Sequence, residues 1–378
     1  MKKFIQIVMG WNEASGKQVS AKEHYGMNPI KVMQARNYQC EIWTLKKPNQ
    51  KEYEVLDKLP IRRFTSTWKL LRALKKDKEV ELVLANLRPF LPALLSPFTG
   101  KKCILLPHTY ELGSNALIKK FSLYCMKKFK KIIALTPFER EIYEKNGIPK
   151  NKITLLPHAI DVNFFSATEQ ANKSAVRKLY DLKESNFIIT SVSNFRKFKN
   201  VDTIIESFAI FQRNHPKARL LIVGANQFNN PRYKDQASKR FKNVQNPEDT
   251  VRKLNLQESV IFTGSLNYKQ VRNIFAITDL FVNNSDPETM GISVYEAAAA
   301  AIPLCLSDIG SFTSVFKEHA LYSIPRNKEQ LAKIFENYFA SKPLREQKGK
   351  AVQKLMNDYD YDLFMKKLET FYDSLITS

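Results

Sequence analysis

Acid is scarce in this sequence. Thirty-seven Asp and Glu face sixty Lys and Arg, a formal net charge of +23 over 378 residues. The imbalance is uneven: residues 1–150 hold 29 basic and 13 acidic side chains, the remainder 31 and 24. A general lysine bias would have spread further, so the asymmetry points to an anionic partner. Nucleic acid is not expected, because no recognised binding motif or aromatic–basic stripe accompanies the charge. Cysteine is also sparse. Cys40, Cys103, Cys125 and Cys305 are scattered without metal-ligand spacing. They read as reduced core thiols of a cytoplasmic protein, and no metal site is expected. Long apolar runs are missing too. None reaches the roughly 18 residues of a membrane span. Residues 292–306 come nearest and are broken by Glu296 and Pro303. The start, Met1-Lys2-Lys3 followed by Phe4 to Met9, has too short an apolar core for a signal peptide and reads as a first buried strand.

What is present is a chain long enough for two domains, each with its own core. Strand-like and helix-like stretches alternate, the pattern of an α/β protein with parallel sheets. The most informative stretch is 282–308. An apolar run ending at Val282 meets the turn formers Asn283, Asn284, Ser285, Asp286 and Pro287. Glu288, Met290, Gly291 and Ile292 follow, then an alanine-rich helix that Pro303 ends, then the strand-like Leu304-Cys305-Leu306. In such sheets ligands sit where strand ends meet helix starts. Main-chain N–H groups at a helix start attract phosphate, and a glycine lets it approach. Glu296 lies eight residues after Glu288, about two turns of helix, on the same face. Carboxylates beside an anion site make sense when each bonds sugar hydroxyls. The plainer alternative is that Glu288 only complements the helix dipole and Glu296 is solvated.

The run Asp286-Pro287-Glu288-Thr289-Met290-Gly291-Ile292-Ser293-Val294-Tyr295-Glu296-Ala297 resembles the Glu-x7-Glu signature of retaining GT-B glycosyltransferases, the group 1 class related to glycogen synthases and phosphatidylinositol mannosyltransferases. The resemblance implies two Rossmann-like domains facing across a cleft, with a last helix that crosses back. It implies that Glu288 approaches the donor sugar, that Glu296 holds the nucleotide ribose, and that the N–H groups of Met290, Gly291 and Ile292 serve the diphosphate or sugar. The family's Gly-Arg-Leu and Lys-Gly cations correspond here to Ser193-Asn194-Phe195-Arg196-Lys197-Phe198-Lys199-Asn200. Lys199 aligns with the lysine. Asn194 stands in the arginine's place, with Arg196 two residues on. A histidine near the donor sugar corresponds to His108, at the end of a strand over 101–108. A paired glycine in the first loop is represented only by Gly16, and Gly264 falls in the region that lines the base pocket. Where the family has Pro-Asn-Gly-Val-Asp, this chain has Pro157-His158-Ala159-Ile160-Asp161, and no chemistry is assigned to His158.

Residues 115–133 carry six lysines and no acid, with Leu117, Phe121, Tyr124 and Phe129 near helical spacing. Such a helix either lies on an anionic membrane or packs on the first sheet with its lysines solvated. Thr136 and Pro137 read as N-cap and first residue of another helix.

The expected layout is an acceptor-binding domain over 1–160, a linker over 161–185, a nucleotide-sugar domain over 186–355 and a returning helix over 356–378. The expected activity is retaining transfer of a sugar from a nucleoside diphosphate to a hydroxyl acceptor, in envelope glycolipid or polysaccharide synthesis. The enzyme would be cytoplasmic or peripheral at the inner face of the membrane, and no cofactor beyond the donor substrate is implied. Two alternatives stay open: transfer to a small soluble acid such as malate, as in bacillithiol synthesis, and a non-catalytic sugar-nucleotide-binding partner protein.

Overall fold

The computed structural model describes residues 2–8, 27–86, 94–108, 112, 115–228 and 244–377. Gly16 lies outside them. The chain divides into two compact units, 1–158 with 362–378, and 159–361.

In the first unit eight strands form one sheet. They are β1 (Lys3–Val8), β2 (Gln39–Leu45), β3 (Tyr53–Leu56), β4 (Leu59–Phe64), β5 (Val80–Asn86), β6 (Lys102–Leu106), β7 (Lys131–Ala134) and β8 (Ile153–Leu155). Their order is β3-β4-β2-β1-β5-β6-β7-β8. All pairs are parallel except β3 with β4. By residue type alone Arg62 to Lys76 suits one helix, but the structure has β4 and then a shorter helix, Thr67–Lys76. The reason is legible afterwards. Leu59, Ile61 and Arg63 alternate inward at strand period, and Ser66 then caps the helix by accepting from the Lys69 N–H at 3.2 Å.

The basic stretch 115–133 is not one helix. Helix Ala116–Met126 ends before β7 begins at Lys131. It packs through Ser122, Cys125 and Met126, and Phe129 beyond it is buried, whereas Leu117, Phe121 and Tyr124 are exposed. Thr136 does cap helix Pro137–Lys145, accepting from the Glu139 N–H at 3.2 Å. Helix Tyr361–Ile376 returns to the first unit. There Arg36 pairs with Asp373 at 2.5 Å and Tyr372 meets Phe4 edge-on at 5.7 Å between ring centroids.

The second unit carries β9 (Ile188–Val192), β10 (Arg219–Val223), β11 (Val260–Gly264), β12 (Leu280–Asn283), β13 (Leu304–Ser307) and β14 (Leu321–Ser323). All are parallel, in the order β11-β10-β9-β12-β13-β14. This is the doubly wound order, whose direction of winding reverses between β9 and β12. Both faces are covered, which is why strands such as Leu220 to Val223 and Leu304 to Leu306 are apolar without alternation. The stretch 161–185 belongs to this unit instead of forming a linker. It folds into helices Val162–Ser166 and Lys173–Leu179, and Phe165, Val176 and Leu182 enter the core. Each such apolar side chain contributes roughly 1.5–3 kcal/mol on burial, which holds the stretch in place. The four cysteines are free and buried.

Candidate functional site

The second unit's candidate residues gather at the carboxyl edge of its sheet, around the switch between β9 and β12. Two loops meet there. One follows β9 and runs from Ser193 to Asn200. The other follows β12 and runs from Asn284 to Gly291 before helix Ile292–Ala299. Hydrogen bonds clasp them. The Asp286 N–H donates to Phe198 O at 2.7 Å, and the Asn200 amide donates to Asn284 O at 2.8 Å. Arg326, just past β14, donates from Nε to Asn200 Oδ1 at 3.1 Å and from its main-chain N–H to Asn284 Oδ1 at 2.9 Å. Asn200 is fully buried, with φ +49°. Asparagine tolerates that left-handed conformation better than most residues, so it can stand where a glycine is common and add a side-chain bond.

The clasp brings Lys199 onto Glu288. Lys199 Nζ donates to Glu288 Oε2, and the two side chains are only 17% and 12% exposed. Arg196 and Lys199 both lie over the Phe198 ring, 5.0 and 5.1 Å from its centroid, so the two cations flank one aromatic support. Glu288 is anchored through its main chain, whose oxygen accepts from Ser311 Oγ at 2.6 Å. The Asp286–Pro287 peptide is cis.

Gly291 stands at the N-cap of helix Ile292–Ala299 with φ +67°, and no side chain caps that helix. A Cβ there would lie 3.1 Å from Phe312 and 3.2 Å from Glu288 Cγ. Glycine therefore meets both a conformational and a steric requirement. The first-turn N–H groups of an α-helix have no partner within it, so this tip offers an anion donors with a favourable dipole. Ser293 fixes the tip to β9 by donating to Val192 O at 2.8 Å. Met290 is buried in the core, so only its main chain can face a ligand.

Glu296 is buried, not solvated. Burial pushes its carboxyl up to about 7, while the Tyr268 hydroxyl that donates to it works the other way. Gly264 ends β11 at φ +71° in open space, and its carbonyl accepts from the Gly224 N–H at 2.9 Å. Gly224 permits a close backbone approach, since a Cβ there would fall 2.1 Å from Ser193 O. Asn194 is taken up by structure: its Oδ1 accepts from the Ala225 N–H at 3.1 Å.

His108 belongs to the first unit. It follows β6 with φ +52°, and its Nε2 lies 2.6 Å from Asn86 Oδ1 at the end of β5. Its ring stacks on His158 at 5.3 Å. The sequence reading assigned His158 nothing, and it also passed over Asn200, Arg326, Ser293 and Tyr268. Asn200 alone carried a signal, as an asparagine in a glycine's place.

Comparisons with known proteins find glycosyltransferase models along both units. A model described as Glycosyl transferases group 1 matches residues 172–355, and one described as Glycosyltransferase Family 4 matches residues 25–164. The chain is similar to mannosylfructose-phosphate synthase of Agrobacterium fabrum, 25% identical over 59% of this chain and 48% of the relative. It is similar to alpha-galactosylglucosyldiacylglycerol synthase of Streptococcus pneumoniae, 18% identical over 68% of this chain and 65% of the relative. It thus spans about half to two thirds of the length of these relatives. Among solved structures it resembles sucrose-phosphate synthase from Thermosynechococcus elongatus, with a TM-score of 0.75, 18% identity and 100% of both chains covered.

Proposed function

Because the chain belongs to the glycosyl transferases group 1 and has the GT-B fold of two parallel-sheet α/β domains, we propose that it moves a hexosyl residue from a nucleoside-diphosphate sugar to a hydroxyl acceptor, with retention. One observation carries the reading. Two loops 89 residues apart in sequence set Lys199 against Glu288 at the tip of helix Ile292–Ala299.

The donor's diphosphate takes the tip's N–H groups at Gly291 and Ile292, with Lys199 and Arg196 as counter-charges. Negative charge grows on that diphosphate as the glycosidic bond breaks, and fixed donors and cations there lower the barrier. Asn194 supports this arrangement by holding its loop, and Gly16 is proposed for the same phosphates. Glu296 accepts from the ribose hydroxyls, and Gly264 leaves space for the base. Glu288 steadies the sugar as cationic character builds at its anomeric carbon, and His108 is proposed for the sugar's hydroxyls. The acceptor oxygen bonds to the anomeric carbon on the face the nucleotide leaves. Its proton passes to the departing phosphate oxygen, so no separate base is needed.

A lipid-linked or glycan acceptor is proposed, by analogy with the diacylglycerol glycolipid in the pneumococcal relative's name. A lipid-linked acceptor fits a chain that works at the inner face of the membrane. Among the described residues no helix is long and apolar enough to cross it. A thermal-shift screen against nucleotide sugars tests the donor, since a ligand of the folded state raises apparent stability. Anomeric configuration of the product, read by NMR, tests retention. A chain that no nucleotide sugar stabilises and that transfers nothing would remove the reading, and transfer to malate alone would favour the soluble-acid alternative.

A further inference from the structure

We propose that the first unit docks on an anionic lipid bilayer through a lysine-rich apolar face, and that a groove in this face seats one hydrocarbon chain of a lipid. The groove has a volume of about 680 Å³ and lies between helix Thr67–Lys76 and the turn Ser96–Thr99. Trp68, Leu71, Leu95 and Phe98 make its apolar wall. Lys69, Arg72 and Lys75 line it as well, so apolar wall and cations share one opening. Trp68 is 71% exposed and Phe98 45%, an unusual state for such side chains in a folded unit.

The face continues past the groove. Phe98 stacks on Tyr124 at 5.9 Å, and Tyr124 begins a stripe on helix Ala116–Met126 that runs through Phe121 to Leu117. These three are 55%, 41% and 77% exposed. Tyr124, Phe121 and Leu117 fall three and four residues apart, one side of a helix whose opposite side is packed. Lysines frame the stripe, with Lys128 over the Tyr124 ring at 5.5 Å. Residues 67–76 contribute four Lys or Arg and residues 115–133 six, with no Asp or Glu in either.

Charge and shape together select the occupant. A second copy of the same face would bring two lysine-rich surfaces together, and like charges repel. A bilayer with anionic headgroups answers the lysines, takes the apolar stripe at the acyl boundary, and places an amphipathic tryptophan at headgroup level. The inference deepens the reading of a lipid-linked acceptor and rests on it for its purpose.

The test is co-sedimentation with vesicles of pure phosphatidylcholine and of equal parts phosphatidylcholine and phosphatidylglycerol. Binding is expected to the mixed vesicles only, falling as salt rises. Trp68→Ala and Phe121→Ser are each expected to weaken it roughly tenfold while leaving thermal melting unchanged, because both side chains are exposed. Acyl-chain-brominated lipid should quench tryptophan fluorescence in the parent chain and much less in Trp68→Phe. Mixed-vesicle binding that both substitutions leave intact would overturn the proposal, as would a concentration-dependent dimer that they dissolve. A chain stabilised by a nucleotide sugar that binds no vesicle overturns the docking face alone. A chain that binds vesicles through Trp68 but no nucleotide sugar upholds the face and removes the transferase reading.

Discussion

The side-chain amide of Asn200 reaches the main-chain oxygen of Asn284 at 2.8 Å, and this contact joins two loops that the sequence keeps 84 residues apart. It sets Lys199, the preceding residue, against Glu288. Loss of the amide leaves a buried carbonyl without its donor, a cost of about 1–3 kcal/mol. Asn200→Ala adds about 1–2 kcal/mol for a left-handed alanine, whereas Asn200→Gly avoids that part. Urea unfolding should rank the parent above the glycine variant and the glycine variant above the alanine one. Equal stabilities for the two variants would show that the backbone conformation does not matter here.

Glu288→Ala is expected to abolish transfer with the fold intact, read by product formation and by circular dichroism. Full activity would remove the central assignment. Lys199→Ala and Arg196→Ala are expected to lower turnover by roughly 10²–10³ each, the usual scale for losing one stabilising group at a developing charge. Steady-state kinetics with a saturating acceptor would show whether the loss falls on turnover.

Gly291→Ala combines a strained φ with contacts at 3.1 and 3.2 Å to Phe312 and Glu288. The expected destabilisation exceeds 1 kcal/mol, and the helix tip loses its close approach to phosphate. Nucleotide-sugar binding by calorimetry should fall more than melting temperature suggests. Binding equal to the parent's would mean that the diphosphate sits elsewhere.

Glu296 gives a pH signature. Its carboxyl titrates near 7 in the folded chain, above the ordinary 4.5. Below about pH 4.5 it is neutral in both states and its contribution is complete. As pH rises towards 7 the unfolded chain ionises first, so stability falls through that window by on the order of 3 kcal/mol and then levels. Asp202 and Asp279 are raised by burial too, so the parent's profile is composite. Glu296→Gln isolates one contribution: its stability relative to the parent should rise between pH 5 and 8. A constant difference across that range would argue against a buried, perturbed carboxyl.

Local chemistry made much of this legible in advance. The run from Asp286 to Ala297 announces strand end, loop, glycine and helix start through residue types alone, because turn formers, glycine and alanine act within a few positions. Thr136 and Pro137 mark a helix start for the same reason. Two local signals misled. The strand alternation of Leu59, Ile61 and Arg63 was hidden by the helix-forming residues after it, and 161–185, placed between two domains, read as a linker although Phe165 enters the core.

Sequence alone determined the alternating α/β plan, the turn-glycine-helix run from Asp286 to Ala297 and the acid-poor first half, since each is written in composition or short spacing. Only the tertiary structure decided that Lys199 meets Glu288 and that Glu296 is buried against Tyr268. It alone decided that His108 stacks on His158 and that Leu117 and Phe121 face outward while Phe129 turns in. The physical reason is range. Capping, turns and periodicity act over a few residues, whereas these pairings depend on strand order and on which helix face a neighbour covers, and both are set by packing between elements far apart in the chain.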